Sequence, residues 1–320
     1  MEILKELSNI GIIPVVKIND AKKAVPLAEA LAKGGLNAAE ITFRTDAAED
    51  AIRKISKACP DMLVGAGTVL TIDQARRALD AGAKFIVSPG FNPKVVKWCL
   101  DNGVTPLPGC TTPSEIEQAL ELGLKVVKFF PAEQSGGLKK IKAMSAPYGG
   151  IKFMPTGGIS LENVNDYLCD KCIIACGGSF MVKESYIDNE NWDEITRLTR
   201  QSVEIMLGLE IGHIGINHEN AEDAKATAEM LSVLTGKPIE RDGEKSLFIT
   251  SQFELMKSKG PGRCGHIAII TNSVDRAVYH LSSRGIKFDE STATYNPDGS
   301  RKFIYLAEEF GGFGIHLINR

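Results

Sequence analysis

Residues 114–130 read SEIEQALELGLKVVKFF, a helical segment that ends near a glycine and is followed at once by an apolar strand. Gly123 stands where the helix predicted over residues 114–122 must stop, because glycine accepts the left-handed backbone that closes many helices. The strand predicted over residues 126–130 carries a single charged residue, Lys128. A helix that leads into an apolar strand is the unit from which parallel α/β folds are built.

The same unit recurs on both sides of this stretch, over residues 1–207. Eight strands alternating with helices in about 200 residues indicate a compact (β/α)8 TIM barrel, an α/β fold. A doubly wound open sheet is the structural alternative. The predicted strands cover residues 12–16, 38–42, 63–67, 85–88, 104–107, 126–130, 152–155 and 173–176, and the predicted helices between them include residues 21–33, 46–59, 72–81, 93–102 and 114–122.

Composition and charge exclude several classes of protein. The 320 residues are 43% hydrophobic and 24% charged with a net charge of -3, and no basic stripe suited to nucleic acid is present. No apolar run approaches the ~20 residues of a membrane helix. Without a signal sequence, the seven cysteines are expected to be reduced thiols of a cytoplasmic protein.

The distribution of histidine restricts the chemistry further. All five histidines lie between positions 213 and 320, so the predicted barrel contains none. Its chemistry therefore uses neither an imidazole base nor a metal bound by histidine.

Polar residues at the carboxyl ends of the predicted strands are candidates for the active site, because parallel barrels gather their catalytic groups there. These residues are Glu40, Arg44, Thr68, Lys128 and Thr156. Burial of Lys128 in an apolar strand would favour the neutral amine that attacks a carbonyl. Glu40 could move protons, and Arg44 offers a planar fork for a carboxylate. The structural alternatives are a lysine that reaches solvent, a carboxylate that only pairs with it, and a surface ion pair of Arg44.

Two glycine pairs follow the seventh and eighth predicted strands. They are Gly157-Gly158 and Gly177-Gly178, the second followed by Ser179. Loops at these two positions of a barrel commonly bind phosphate, because bare backbone N–H groups can approach the anion. Either pair could also be a simple turn.

Motifs in this order resemble the 2-keto-3-deoxy-6-phosphogluconate (KDPG) aldolase family, which includes 4-hydroxy-2-oxoglutarate (KHG) aldolases. The resemblance covers roughly residues 1–207 and implies a Schiff-base aldehyde-lyase that forms pyruvate without a cofactor, typically as a homotrimer. The motifs are EITFRT at residues 40–45, VGAGTVL at 64–70, SPG at 88–90, KFFPAE at 128–133, PTGGIS at 155–160 and GGS at 177–179.

The resemblance also implies a role for each position. Lys128 would form the Schiff base with the C2 ketone of the substrate, and Glu40 would move the protons. The remaining positions would bind the substrate: Arg44 and Thr68 its carboxylate, Pro89 and Phe130 the pyruvyl carbons, Thr156 the pocket wall, and Gly157, Gly158 and Ser179 its phosphate. The alternative function is a sugar-phosphate sensor that binds without turnover and reports through the C-terminal domain.

A weak internal repeat begins after Gly208. GHIGI at residues 212–216 returns as GHIAI at 265–269; each copy leads into a helical pattern, at 221–235 and 274–284, and ends in an apolar strand. Residues 211–320 are therefore expected to form one smaller α+β domain. They resemble the vicinal-oxygen-chelate (glyoxalase-like) superfamily, whose paired βαβββ modules form a cup around a divalent metal.

The positions that correspond to ligands in that superfamily are His213, Glu254, His266 and His316. Imidazoles and a carboxylate suit Zn, Mn, Ni or Fe. His316 stands where relatives more often have glutamate, and the alternative is a degenerate cup that binds no metal. His218 and His280 are expected to be ordinary exposed or helical residues.

Overall fold

The computed structural model describes residues 2–320, which divide into two compact units. The N-terminal unit comprises the described residues up to Met206, and the C-terminal unit is Leu207–Arg320. Among the described residues, no helix is long and apolar enough to cross a membrane.

The N-terminal unit alternates strands and helices. Its elements are α1 (Glu2–Ile10), β1 (Ile12–Val16), α2 (Ala24–Gly34), β2 (Ala38–Thr42), α3 (Ala48–Ala58), β3 (Leu63–Gly67), α4 (Ile72–Ala81), β4 (Phe85–Val87), α5 (Pro93–Asp101), β5 (Thr105–Leu107), α6 (Pro113–Glu121), β6 (Val126–Phe129), α7 (Gly137–Ser145), β7 (Lys152–Pro155), α8 (Val164–Leu168), β8 (Cys176–Gly178), α9 (Glu184–Asp188) and α10 (Trp192–Leu207).

Local sequence explains where several helices begin and end. The Thr71 side chain accepts a hydrogen bond from the Gln74 N–H and starts α4, and Gly82, with φ of 109°, closes it. The Glu115 carboxylate accepts from the Thr112 N–H and hydroxyl in a capping box at the start of α6. Each cap satisfies backbone groups that a helix end leaves unpaired.

The strands of this unit pair in parallel. Six of them form a sheet in the order β5-β4-β3-β2-β1-β8, and β6 pairs with β7. Two single parallel bridges extend this pairing. Gly109, which follows β5, bridges to Lys128 of β6, and Thr156, which follows β7, bridges to Gly177 of β8. The strands are buried almost throughout, and Phe85, Phe129 and Phe153 are among the largest fully buried side chains.

The eighth strand lies later in the chain than the sequence predicts. The sequence predicted residues 173–176, whereas β8 covers Cys176–Gly178 and pairs with β1 from Ile12 onward. Ile173 makes only one bridge, with Phe153. β8 includes two glycines, Gly177 and Gly178. A Cβ at Gly177 would lie 2.4 Å from the Thr156 hydroxyl oxygen, so glycine is needed where β8 packs against Thr156.

The C-terminal unit is one mixed sheet of eight strands with a helix in each half. Two strand-helix-strand-strand-strand segments build it, and the sheet order is β10-β11-β12-β9-β13-β16-β15-β14. Its elements are β9 (Glu210–Asn217), α11 (Ala221–Thr235), β10 (Ile239–Asp242), β11 (Ser246–Ile249), β12 (Phe253–Met256), β13 (Gly265–Thr271), α12 (Val274–Ser282), β14 (Phe288–Tyr295), β15 (Arg301–Leu306) and β16 (Phe313–Asn319).

The first strands of the two halves meet antiparallel at the centre of this sheet. β9 pairs with β13, and each pairs in parallel with the last strand of its own half, β12 or β16. Gly215 lies opposite His266, and a Cβ at Gly215 would lie 2.1 Å from the imidazole. The glycine therefore makes room for this histidine on the face of the sheet.

Candidate active site

A lysine and a glutamate meet in the interior of the N-terminal unit. Lys128 projects from β6 and Glu40 from β2, and the Lys128 Nζ lies 3.3 Å from the Glu40 Oε1. Their side chains are 6% and 1% exposed. The Glu40 Oε2 is buried and has no hydrogen-bond partner. A buried amine and a buried carboxylate are thus in contact, and the second carboxylate oxygen has no partner among the described residues.

Glycine on the neighbouring strand makes room for Glu40. Thr42 pairs with Gly67 across β2 and β3, and a Cβ at Gly67 would lie 2.1 Å from the Glu40 Oε1. Any side chain larger than hydrogen would displace the carboxylate from its contact with Lys128.

Arg44 and Thr68 lie just beyond the ends of β2 and β3 and carry hydrogen-bond donors that could bind a carboxylate. Arg44 Nε donates to the Thr42 hydroxyl at 3.2 Å, and that hydroxyl donates to the Val16 carbonyl at 2.8 Å. This chain of hydrogen bonds orients the guanidinium. Thr68 adopts φ of 57°, a left-handed conformation that non-glycine residues rarely take and that often marks a functional position.

The loop after β7 presents backbone to the same space. Gly157 and Gly158 have φ of 98° and 81°, and a Cβ at Gly158 would lie 2.5 Å from the Glu133 Cγ. The Glu133 N–H donates to the Gly157 carbonyl at 3.1 Å and holds the loop in place. The Thr156 hydroxyl is buried without a partner, so it also remains available.

These groups share one cavity of about 350 Å³. All ten residues predicted for the barrel line it, and the Phe130 ring lies 5.4 Å from the Lys128 Nζ. Gly177 and Gly178, the second glycine pair noted in the sequence, line it as well. Three further lining residues were not predicted, because nothing in the sequence distinguishes them from ordinary strand and loop positions: Val15, Thr42 and Ile159.

A second polar cluster lies in the C-terminal unit. The Glu254 Oε2 is 3.2 Å from the His213 Nε2 and 3.1 Å from the His266 Nε2. One nitrogen from each of His213, His266 and His316 falls within 4.8 Å of the others. All four residues predicted as ligands are therefore together, and we call them the imidazole–carboxylate cluster.

Hydrogen bonds organise this cluster. Burial alone would raise the pKa of Glu254, but hydrogen bonds from His213, His266 and the Ser246 hydroxyl outweigh it and lower that pKa well below the usual range. The Ser246 hydroxyl donates to the other carboxylate oxygen, Oε1, at 2.6 Å. Burial lowers the pKa of His316 to about 3, and the neighbouring imidazoles add to the effect.

The other two histidines lie outside the cluster. His280 is on α12, as expected for a helical residue, but it is buried. The expectation of an exposed or helical His218 was wrong. Its ring is partly buried between the Ile216 and Met256 carbonyls, 3.1 and 3.2 Å from Nδ1, and the Thr227 hydroxyl, 2.9 Å from Nε2.

Comparisons with known proteins agree with the family resemblance of the N-terminal unit. Residues 3–198 match the family model described as KDPG and KHG aldolase. The 2-dehydro-3-deoxy-phosphogluconate aldolase of Haemophilus influenzae is 50% identical over 205 residues, which cover 64% of this chain and 97% of that protein. The KHG/KDPG aldolase of Escherichia coli K12 is 42% identical over 193 residues, covering 60% of this chain and 91% of that protein.

Solved structures give the same result. The KDPG aldolase of Legionella pneumophila, crystallised with pyruvate captured as a covalent carbinolamine, is 38% identical with a TM-score of 0.60. It is matched over 62% of this chain and 96% of its own. The resemblance is thereby confirmed for the greater part of the chain, which belongs to the KDPG and KHG aldolase family.

Proposed function

We propose that this chain is a Schiff-base aldolase that cleaves KDPG to pyruvate and glyceraldehyde 3-phosphate. KHG, which would give pyruvate and glyoxylate, is a second substrate. The observation that carries the proposal is the buried contact between Lys128 and Glu40 at the wall of a cavity. The names of the Haemophilus and Escherichia relatives support this choice of substrates.

The fold assigned to this unit is a closed (β/α)8 barrel. The bridges of Lys128 with Gly109 and of Thr156 with Gly177 support closure, because they join the pair β6-β7 to both edges of the six-stranded sheet. In a closed parallel barrel the carboxyl ends of all strands surround one site.

The reaction begins at the Lys128 amine. The nitrogen attacks the C2 ketone, and the carbonyl oxygen takes a proton to become the hydroxyl of a carbinolamine. A second proton transfer expels that hydroxyl as water and leaves an iminium. Glu40 lies next to the nitrogen, so its carboxyl group is the carrier for both protons.

Cleavage follows because the iminium accepts electrons. Removal of the C4 hydroxyl proton forms the aldehyde, the C3–C4 pair flows into the iminium, and an enamine remains on Lys128. Protonation at C3 followed by addition of water releases pyruvate and restores the amine. Of the groups lining the cavity, Glu40 is the acid placed to return the proton.

The two ends of the cavity orient the substrate. Arg44 and Thr68 bind the carboxylate beside C2, since the guanidinium is fixed by Thr42 and faces the cavity. The N–H groups around Gly157 and Gly158, together with Ser179, bind the phosphate. Pro89 and Phe130 enclose the pyruvyl carbons, and Thr156 lines the wall.

Steady-state cleavage of KDPG and KHG, followed by pyruvate release, tests the proposal. Lys128→Ala is expected to lose all measurable turnover. The matched control is Lys125→Ala, which removes an exposed lysine just before the same strand and should leave turnover unchanged. A folded wild-type chain that binds KDPG without releasing pyruvate would favour the sugar-phosphate sensor instead.

Two properties of the whole chain accompany this function. By family resemblance the assembly is a homotrimer, and the reduced cysteines support a cytoplasmic location. Light scattering during size-exclusion chromatography should give three times the 34.6 kDa chain mass.

For the C-terminal unit the proposal is a glyoxalase-like cup that holds one divalent ion of Zn, Mn, Ni or Fe. The imidazole–carboxylate cluster fits such an ion, because three imidazole nitrogens lie within 4.8 Å of one another and the Glu254 carboxylate contacts two of these imidazoles. His266 and His316 are buried, and the Nδ1 of each has no partner in the structure. A bound ion would act as a Lewis acid at this point.

Metal analysis after growth and dialysis tests the cup. The wild-type chain should retain about one ion, and His266→Ala should retain none. His280→Ala is the control, because it removes a buried imidazole outside the cluster. Equal metal content in the wild type and His266→Ala would contradict the proposal and favour a degenerate cup.

A further inference from the structure

Two polar side chains flank the imidazole–carboxylate cluster and are not needed to hold an ion. Arg241 pairs with Phe248, which pairs in turn with Glu254, and on the other side Tyr305 pairs with His316. Cross-strand partners project from the same face of a sheet. The face that presents the cluster therefore also presents a guanidinium on one side and a phenol on the other.

Arg241 is held in position without an acidic partner. Its Cζ lies 3.9 Å from the centroid of the Phe248 ring. Across residues 2–320, the part of the chain that the structure describes, no carboxylate forms an ion pair with it. Its strand is two sheet spacings from Glu254, or about 10 Å. A stacked, unpaired guanidinium at this position is a group ready to bind an anion.

Tyr305 is similarly placed and similarly free. Its ring contacts His316 and Phe303 with centroid separations of 5.1 and 5.2 Å. Gly314 leaves the space that the ring occupies, since a Cβ there would lie 3.2 Å from it. No hydrogen bond of the Tyr305 hydroxyl is made to any residue that the structure describes, so the hydroxyl can donate to a molecule bound at the cluster.

The two outer edges of this face carry opposite charges. Asp289 pairs with Tyr305 in the second half of the sheet, as Arg241 pairs with Phe248 in the first. The Asp289 carboxylate accepts hydrogen bonds from Ser291, and within residues 2–320 no lysine or arginine forms an ion pair with it. A bound anion would be attracted toward Arg241 and repelled from Asp289, which fixes its direction across the cluster.

We propose that this face binds a small organic acid. Its carboxylate pairs with Arg241, and its other polar end lies at the cluster within reach of the Tyr305 hydroxyl. The span corresponds to a molecule of roughly four to six carbons. The inference rests on the proposed metal site, because the cluster supplies the second point of attachment.

Visible spectroscopy of the full chain loaded with Co(II) tests this inference. Cobalt reports on the C-terminal unit alone, since the imidazole–carboxylate cluster includes the one group of three metal-binding side chains found in residues 2–320. Titration with succinate should change the cobalt spectrum in a saturable way, and the neutral analogue 1,4-butanediol should not.

Substitutions identify the groups responsible. Arg241→Gln should weaken succinate binding on the order of tenfold, and Tyr305→Phe about threefold. Arg284→Gln, which changes an exposed arginine just beyond α12, should bind like the wild type. The inference is overturned if succinate leaves the spectrum unchanged, or if Arg241→Gln and Arg284→Gln bind it equally. If the chain retains no cobalt at all, the metal site fails before succinate is added, and the inference fails with it.

Discussion

Substitution of Gly67 by alanine should disable proton transfer while leaving Lys128 and Glu40, the two side chains proposed as catalytic, unchanged. The added Cβ would lie 2.1 Å from the Glu40 Oε1 and 2.8 Å from its Cδ and Cγ. Glu40 is fully buried, so its carboxylate can give way only within the cavity that it lines. To reach an ordinary contact the carboxylate must retreat by roughly 1.3 Å, which breaks the 3.3 Å contact with the Lys128 Nζ.

The expected result is a fall in the turnover rate constant of about a hundredfold or more, the usual contribution of a positioned acid–base group. Overpacking should also destabilise the fold by about 1–3 kcal/mol. Gly149→Ala is the control, because nothing lies within 4 Å of a Cβ at that position.

The assay is KDPG cleavage at saturating substrate, with circular dichroism to establish that each variant is folded. Since Lys128 is unchanged, Gly67→Ala should still form a Schiff base with pyruvate, only more slowly. A folded Gly67→Ala chain with the turnover of the wild type would refute the assignment of Glu40 as the proton carrier.

Three further predictions concern other groups. Ser246→Ala should weaken metal binding about tenfold, because the hydroxyl donates to Glu254 at 2.6 Å and orients it; dialysis equilibrium measures the change. In chelator, the free energy of unfolding should fall by about 1 kcal/mol more for the wild type than for His316→Phe between pH 7 and pH 5.5. The pKa of His316 is lowered from the ordinary value of 6.5 to about 3 in the native chain. Below pH 6.5 the imidazole therefore takes up a proton in the unfolded chain but stays neutral in the native chain, which favours unfolding. Iodoacetamide should label exposed Cys169 first, since burial raises the pKa of Cys99 to about 11.

Each of these has an opposing outcome. Metal affinity that is unchanged in Ser246→Ala would mean that the hydrogen bond does not orient the ligand. Equal pH dependence in the wild type and His316→Phe would mean that the imidazole is not held neutral. Labelling of Cys99 as fast as Cys169 in the folded chain would contradict the burial of that thiol.

The meeting of Lys128 and Glu40 was predictable because each residue breaks an apolar pattern. Lys128 and Glu40 are charged residues within buried strands, and the alternation of strands and helices predicts that both side chains reach one end of the fold. The place of the two glycine pairs at the cavity was predictable for a similar reason, since two pairs at successive strand ends are unusual.

Features that depend on contacts between distant strands were not predictable. The role of Gly67 follows from the direction of the Glu40 side chain on the neighbouring strand. The bounds of β8 depend on packing against Thr156. The β propensity of Ile173 favoured an earlier strand, but Ile173 makes only a single bridge. Ser246 escaped notice because a lone serine in a strand has no periodic signal, and only the register of β11 with β12 brings it to Glu254.

Borohydride reduction in the presence of pyruvate, followed by peptide mass spectrometry, tests the central claim most directly. The Schiff-base mechanism predicts a reduced pyruvyl adduct on the peptide that contains Lys128, which disappears in Lys128→Ala and persists in Lys125→Ala. A folded chain that forms no adduct, or forms it on another lysine, would contradict the Schiff-base mechanism.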